Sequence, residues 1–193
     1  MVQSSLLLDQ SLIAPDTLRI IRRDDYERMV ELGLFEDERI ELLRGVLVAM
    51  SPQGTRHAHV ISRLTRLLIE RLGQVEVRCQ MPFAAGADSV PEPDIVVVPV
   101  MDYSTFMPQQ AHLVVEVAET SLRKDRILKS ELYAEAEVPE YWLVDLAHDT
   151  VEVRTLPAAG TYTRTDVFTA VDAIRPGAFP DVEIAVRELL ALS

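Results

Sequence analysis

Two carboxylates stand in segments otherwise built from aliphatic residues. Asp94 opens the run DIVVVPV (94–100), and Glu116 sits inside HLVVEVA (112–118), flanked by Val114, Val115 and Val117. A carboxylate in such company is costly unless it is paired, protonated or bound to a cation. Taken alone, Asp94 is explained by a hydrogen-bonded strand end. Glu116 fits an ion-paired sheet position as well as it fits a site. Together, on two candidate neighbouring strands and 22 positions apart, they point to a site. Carboxylates converging within about 4 Å repel, so one keeps its proton unless a cation intervenes. Oxygen-only ligation suits Mg²⁺ or Mn²⁺, which accept one or two carboxylates together with water and phosphate oxygens. Such an ion polarises a phosphoryl group and lowers the pKa of a bound water.

Lysine is the second unusual usage. The chain holds Lys124 and Lys129 against seventeen arginines. A compact ammonium at Lys129 could orient a water and offset charge on a phosphate. An Asp125–Lys129 surface pair at i,i+4 explains the same residue without chemistry.

Other chemistries lack their motifs. The seven glycines form neither GxGxxG nor GxxxxGK[ST], which removes the backbone cradles for dinucleotides and triphosphates. There is no GxSxG elbow and no HExxH, so serine-hydrolase and zincin mechanisms are unsupported. His57 and His59 would point about 200° apart on a helix, a poor start for zinc. Cys79 is the single cysteine; it can form no internal disulfide and reads as a buried strand residue.

These groups need elements to hold them. Asp24 and Glu27 suggest a capping box, followed by a stripe of Tyr26, Met29 and Val30 and a stop at Gly33. ERIELLRGVLVAM (38–50) reads as a hairpin turning at Arg44-Gly45. HAHVISRLTRLLIERLG (57–73) is the clearest helix, with Val60, Ile61, Leu64, Leu67, Leu68 and Leu72 on one face and Gly73 as its stop. VEVRCQM (75–81) alternates as a strand. The runs at 94–100 and 112–118 read as central strands covered on both faces. Residues 123–137 return to helical spacing through Ile127, Leu128, Leu132 and Ala136, and Pro139 ends the helix. Strands follow at 141–146 and 150–156, as a hairpin around His148-Asp149, and near 162–168, before a terminal strand-to-helix segment, DVEIAVRELL. Strands alternating with two good helices make an α/β or α+β fold with a mixed sheet.

The chain has 193 residues, a length suited to one domain. Residues 1–21 read as a loosely attached lead-in without the basic region of a secretion signal, and 22–193 as a single domain. No apolar run is long enough to span a membrane, and the cytoplasm is the default compartment. The net charge of −12 opposes a protein that coats nucleic acid. Residues 51–80, however, carry Arg56, Arg63, Arg66, Arg71 and Arg78 against Glu70 and Glu76. That basic stretch is either a phosphate-contacting face, with Arg63 and Arg66 at its centre, or a helix surface answered by acids elsewhere. A homodimer would widen such a face, although no residue specifies one.

EPDIVVV (92–98), followed by LVVEVAETSLRKDRILKSELYAEAEVPEYWLVD (113–145), resembles the PD-(D/E)XK nuclease superfamily and, within it, the bacterial Uma-type family of restriction-endonuclease-like proteins. Residues 38–68 and 179–190 resemble that family's beginning and end, so the likeness covers roughly 22–191. It implies an α/β restriction-endonuclease-like core, a mixed sheet flanked by helices, with additional C-terminal strands. It also implies Mg²⁺- or Mn²⁺-dependent hydrolysis of DNA, leaving 5′-phosphate and 3′-hydroxyl ends. By the resemblance, Asp94 and Glu116 are the acidic metal ligands and the backbone carbonyl of Val117 joins them. The superfamily's lysine belongs two residues after the glutamate, where Ala118 stands; in this family it has moved to the following helix, and Lys129 matches. Glu41 and His57 match further family positions. Each could line the pocket, and each also reads as a hairpin ion pair or a helix-start residue. The alternative function is a silent nuclease-fold module that binds proteins through its acidic surface.

Overall fold

The computed structural model describes residues 19–190. Most of the expected lead-in therefore lies outside the described residues; Ile21 is already tied down, donating its N–H to the Gly45 carbonyl.

The chain opens with α1 (Arg23–Glu31) and a hairpin of β1 (Ile40–Leu43) and β2 (Val46–Ala49). The long helix α2 (Thr55–Leu72) follows, then β3 (Glu76–Cys79), β4 (Ile95–Val98) and β5 (Leu113–Ala118). Helix α3 covers residues 122–135 in three parts: α-helical Leu122–Lys124, a π turn at Asp125–Lys129 and α-helical Ser130–Glu135. Next come β6 (Glu140–Asp145), β7 (Thr150–Ala158) and β8 (Thr161–Phe168), then the short pair β9 (Ala173–Ile174) and β10 (Ile184–Ala185), and α4 (Val186–Leu189).

Strands β3 to β8 form one sheet in sequence order, antiparallel throughout except for the parallel pair β5–β6. Parallel neighbours need a crossover, and α3 supplies it. Side chains alternate across a strand, and this sorts the core into two layers. Ile95, Val97, Val115 and Val117 face α2 through Val60, Ile61, Leu64 and Leu68. Val96, Val98, Val114 and Ala118 face the other way, packing with Tyr133 of α3 and Tyr141. Glu116 shares the parity of Val114 and Ala118, so its carboxylate is delivered to the α3 side. The expected mixed sheet flanked by helices, with extra C-terminal strands, is the observed architecture.

The hairpin turns at Arg44-Gly45 with φ of 49° and 75°, the pair of left-handed residues that a two-residue hairpin favours. Four local expectations differ. The capping box does not form: α1 begins at Arg23 without a side-chain cap, and Glu27 pairs with Arg23 at 3.4 Å instead. Of the Tyr26, Met29, Val30 stripe only Tyr26 is buried. Cys79 is half-buried, because β3 is an edge strand, and its Sγ lies 2.7 Å from Thr65 Oγ1. Helix α3 stops at Glu135, before Pro139, and Ile127 points outward, 51% exposed, because the π turn changes the register.

Candidate active site

Strands β4 and β5 pair with Ile95 opposite Val115, so the next step of the ladder sets Asp94 beside Glu116. Asp94 lies just before β4, and its Oδ2 accepts the Val117 N–H at 2.8 Å. In an extended strand a residue's N–H and C=O point to the same side. The Val117 carbonyl therefore faces the place where β4 has ended, free of that ladder. His57, in the first turn of α2, stands with Nε2 3.2 Å from Asp94 Oδ2. Burial pulls its imidazole down, and the hydrogen bond and charge of Asp94 outweigh this, leaving His57 above its ordinary value. Its Nδ1 is buried without a partner.

Glu116 is held from α3. Its Oε1 accepts Lys129 Nζ at 2.9 Å and the Tyr133 hydroxyl at 2.6 Å, which leaves Oε2 for another partner. Lys129 also stands 3.1 Å from Glu41 Oε2, and Lys124 Nζ donates to Glu41 Oε1 at 2.7 Å. Glu41 has no exposed surface. Burial pushes the Glu116 carboxyl up to about 8 against the pull of Lys129. Burial would lower Lys129, but Glu116, Glu41 and Asp125 surround it and hold it well above the usual lysine value. The ammonium keeps its proton because two glutamates bind it and the nearby charge of Asp125 adds to their pull.

The π turn makes this possible. Four α-helical steps overshoot a full turn by about 40°, and the wider π turn falls short of one. Asp125, Lys129 and Tyr133 thus line up inward, all three buried. The expected surface pair of Asp125 and Lys129 is absent: Asp125 Oδ2 accepts from Ser121 Oγ at 2.5 Å, and Lys129 serves the two glutamates.

A cleft of about 310 Å³ opens over these groups, lined by His57, Asp94, Glu116, Asp125, Lys124 and Lys129 among others. Glu92 and Glu119 add to its negative charge. Among the described residues no three His, Cys, Asp or Glu side chains form a complete metal cage. The protein's donors are the free Oε2 of Glu116, Asp94 Oδ1, which Gln80 Nε2 reaches only at 3.5 Å, and the Val117 carbonyl. That partial oxygen set fits Mg²⁺ or Mn²⁺, which complete their shells with water and substrate.

The structure brings Asp94, Glu116, Lys129 and His57 to the cleft, with Glu41 directly beneath as the anchor of both lysines. Arg63 and Arg66 are elsewhere. Arg63 Nε donates to the Glu188 carbonyl at 2.5 Å, and Arg66 is exposed beside Glu70 at 3.8 Å. The other three arginines of the basic stretch are also engaged, Arg56 with Asp149, Arg71 with Glu188 and Arg78 with Glu76. The stretch is thus a surface largely answered by acids. Sequence reasoning missed Lys124, Asp125 and Tyr133 as site residues. The D-x3-K-x3-Y spacing was the available signal, hidden because Ile127 and Leu128 suggested the opposite inner face.

A family model for Uma2, described as "Putative restriction endonuclease", matches residues 23–187. The chain belongs to the Uma2 family. Its fold is similar to the crystal structure of "a putative nuclease belonging to DUF820" from Anabaena variabilis ATCC 29413, with a TM-score of 0.70. That match covers 89% of this chain and 98% of the other at 17% identity, which speaks for the fold alone. No curated protein matches the sequence. Membership of the Uma2 family agrees with the PD-(D/E)XK resemblance carried by Pro93-Asp94 and Glu116, and among the described residues no helix is long and apolar enough to cross a membrane.

Proposed function

We propose that this Uma2-family chain is a Mg²⁺- or Mn²⁺-dependent endonuclease that hydrolyses phosphodiester bonds in DNA in the cytoplasm. The observation that carries the reading is the meeting of Asp94 and Glu116 at the cleft floor with Lys129 bound to Glu116. A divalent ion held by Asp94, Glu116 and the Val117 carbonyl would polarise the phosphate and acidify a water. The chain's own groups do the rest. Lys129 orients the attacking water and steadies charge on the phosphate, His57 fixes Asp94, and Tyr133 fixes Glu116.

Incubation of single-stranded, double-stranded and branched DNA with Mg²⁺ or Mn²⁺ tests this. Cleavage by the wild type and none by Asp94→Ala is the expected result; intact DNA in both overturns it. A second reading, a silent nuclease-fold module that binds proteins, draws on the net charge of −12 and on the engagement of the arginines of residues 51–80 within the chain. Failure of Mg²⁺ and Mn²⁺ to raise the unfolding temperature would favour it.

A further inference from the structure

A groove continues from the active-site cleft along α3. Thr120, Ser121 and Lys124 line both depressions, and Arg123, Ile127 and Leu128 complete the groove. Lys124 stands at the junction. Its side chain is 33% exposed, whereas Glu41, which holds its ammonium, is 0% exposed. Glu41 therefore cannot meet a substrate and serves to aim Lys124. An ammonium has three donors, so the bond to Glu41 leaves two for another acceptor. Arg123 is exposed and makes no ion pair among the described residues. Beyond these cations lies an aliphatic floor, and Ile127 is there because the π turn carries it out of the core.

Cations beside a scissile site, followed by an apolar surface, match a polymer whose charged links alternate with flat apolar faces. We propose that this groove carries the nucleic-acid strand away from the cleft, with Lys124 and Arg123 on its phosphates and a base or sugar lying on Ile127 and Leu128. The inference rests on the nuclease reading of the cleft and extends it to an extended single strand as the ligand of this face. Continuity with the cleft through three shared residues selects that occupant. It also gives the outward Ile127 a role that packing does not.

Fluorescence anisotropy with end-labelled oligothymidylates, from the dinucleotide upward and with Ca²⁺ as the divalent ion, tests the track. Affinity is expected to rise once the strand outgrows the cleft. Arg123→Gln and Ile127→Ser, both at exposed positions, should each weaken the longer strand several-fold and leave the dinucleotide unchanged. Arg123→Gln together with Lys124→Gln should flatten the salt dependence by about 1.4, since each single-strand phosphate contact contributes a slope near −0.7. A wild type that binds the dinucleotide and gains nothing with length overturns the groove and leaves the cleft reading standing. Equal binding of the longer strand by wild type, Arg123→Gln and Ile127→Ser overturns it too, and assigns the face to some other contact. Binding of no strand of any length removes the groove and the nuclease reading together.

Discussion

Replacing Lys129 with methionine keeps most of the side chain's length and removes its charge, leaving Glu116 and Glu41 buried around an apolar tip. Lys124 still answers one oxygen of Glu41, but Glu116 retains only the Tyr133 hydroxyl. Breaking a buried pair from one side costs about 3–5 kcal/mol, and a drop of that order in unfolding free energy is expected from urea titration. A loss under about 1 kcal/mol, the scale of a surface pair, would mean that the ammonium is not bound as described. Tyr133→Phe is gentler. It deletes one hydrogen bond to a buried carboxylate, an expected loss of about 1–3 kcal/mol. Because the same bond fixes which Glu116 oxygen is free, the variant should also show a smaller rise in unfolding temperature with Mn²⁺ than the wild type. An unchanged metal response with lowered stability would make Tyr133 a packing residue only.

At the level of elements, α3 depends on one extra residue. Deleting Ile127, which is exposed, would turn the π segment into continuous α-helix. The second half of α3 is anchored by Leu132 and Tyr133 in the core and by Arg154 bonding Ser130 Oγ at 2.8 Å. The first half would rotate by about 100°, carrying Asp125 and Lys124 off the cleft. Far-UV circular dichroism should be nearly unchanged while the Mn²⁺-induced stabilisation falls; a retained metal response would show that the register is not needed. The β6–β7 turn gives a pH test. Burial would raise Asp145, but hydrogen bonds from His148 Nδ1 at 2.9 Å and the Ala147 N–H at 3.0 Å hold it below the usual carboxylate range. An acid lowered in the folded state stabilises above its unfolded pKa, near 3.9, and loses that contribution as pH falls through the folded value. Wild type should therefore exceed Asp145→Asn in urea midpoint at pH 6, with the gap closing towards pH 3. A gap independent of pH would remove the charge from the explanation.

For the molecule as a whole, the net charge of −12 and the engaged arginines of residues 51–80 leave that stretch little to offer nucleic acid, whereas Lys124 and Arg123 stand at the cleft and its groove. Arg66 lies on the face of α2 opposite His57 and about 13.5 Å further along the helix. DNA binding by Arg66→Gln should keep the salt dependence of the wild type; a slope reduced by about 0.9, one duplex phosphate contact, would instead place a duplex across α2. Arg63→Gln is expected to act through stability, since Arg63 fastens α2 to the Glu188 carbonyl in α4.

The sequence by itself determined the sheet strands, the long helix with its six apolar positions, the hairpin at Arg44-Gly45 and the two out-of-place carboxylates, Asp94 and Glu116, that meet at the cleft. Each rests on a local period or on a residue type out of place in its surroundings, and local periods survive folding. Tertiary structure alone decided which way α3 faces. Its apolar pattern through Ile127 and Leu128 argued for one inner face, yet one π turn, stabilised by Lys129 between two buried glutamates, selected the other. A register change of one residue leaves composition and spacing untouched. Only the packing of β1, β5 and α3 around a shared charge makes that register the favourable one, and it gave Lys124, Asp125 and Tyr133 places at the site.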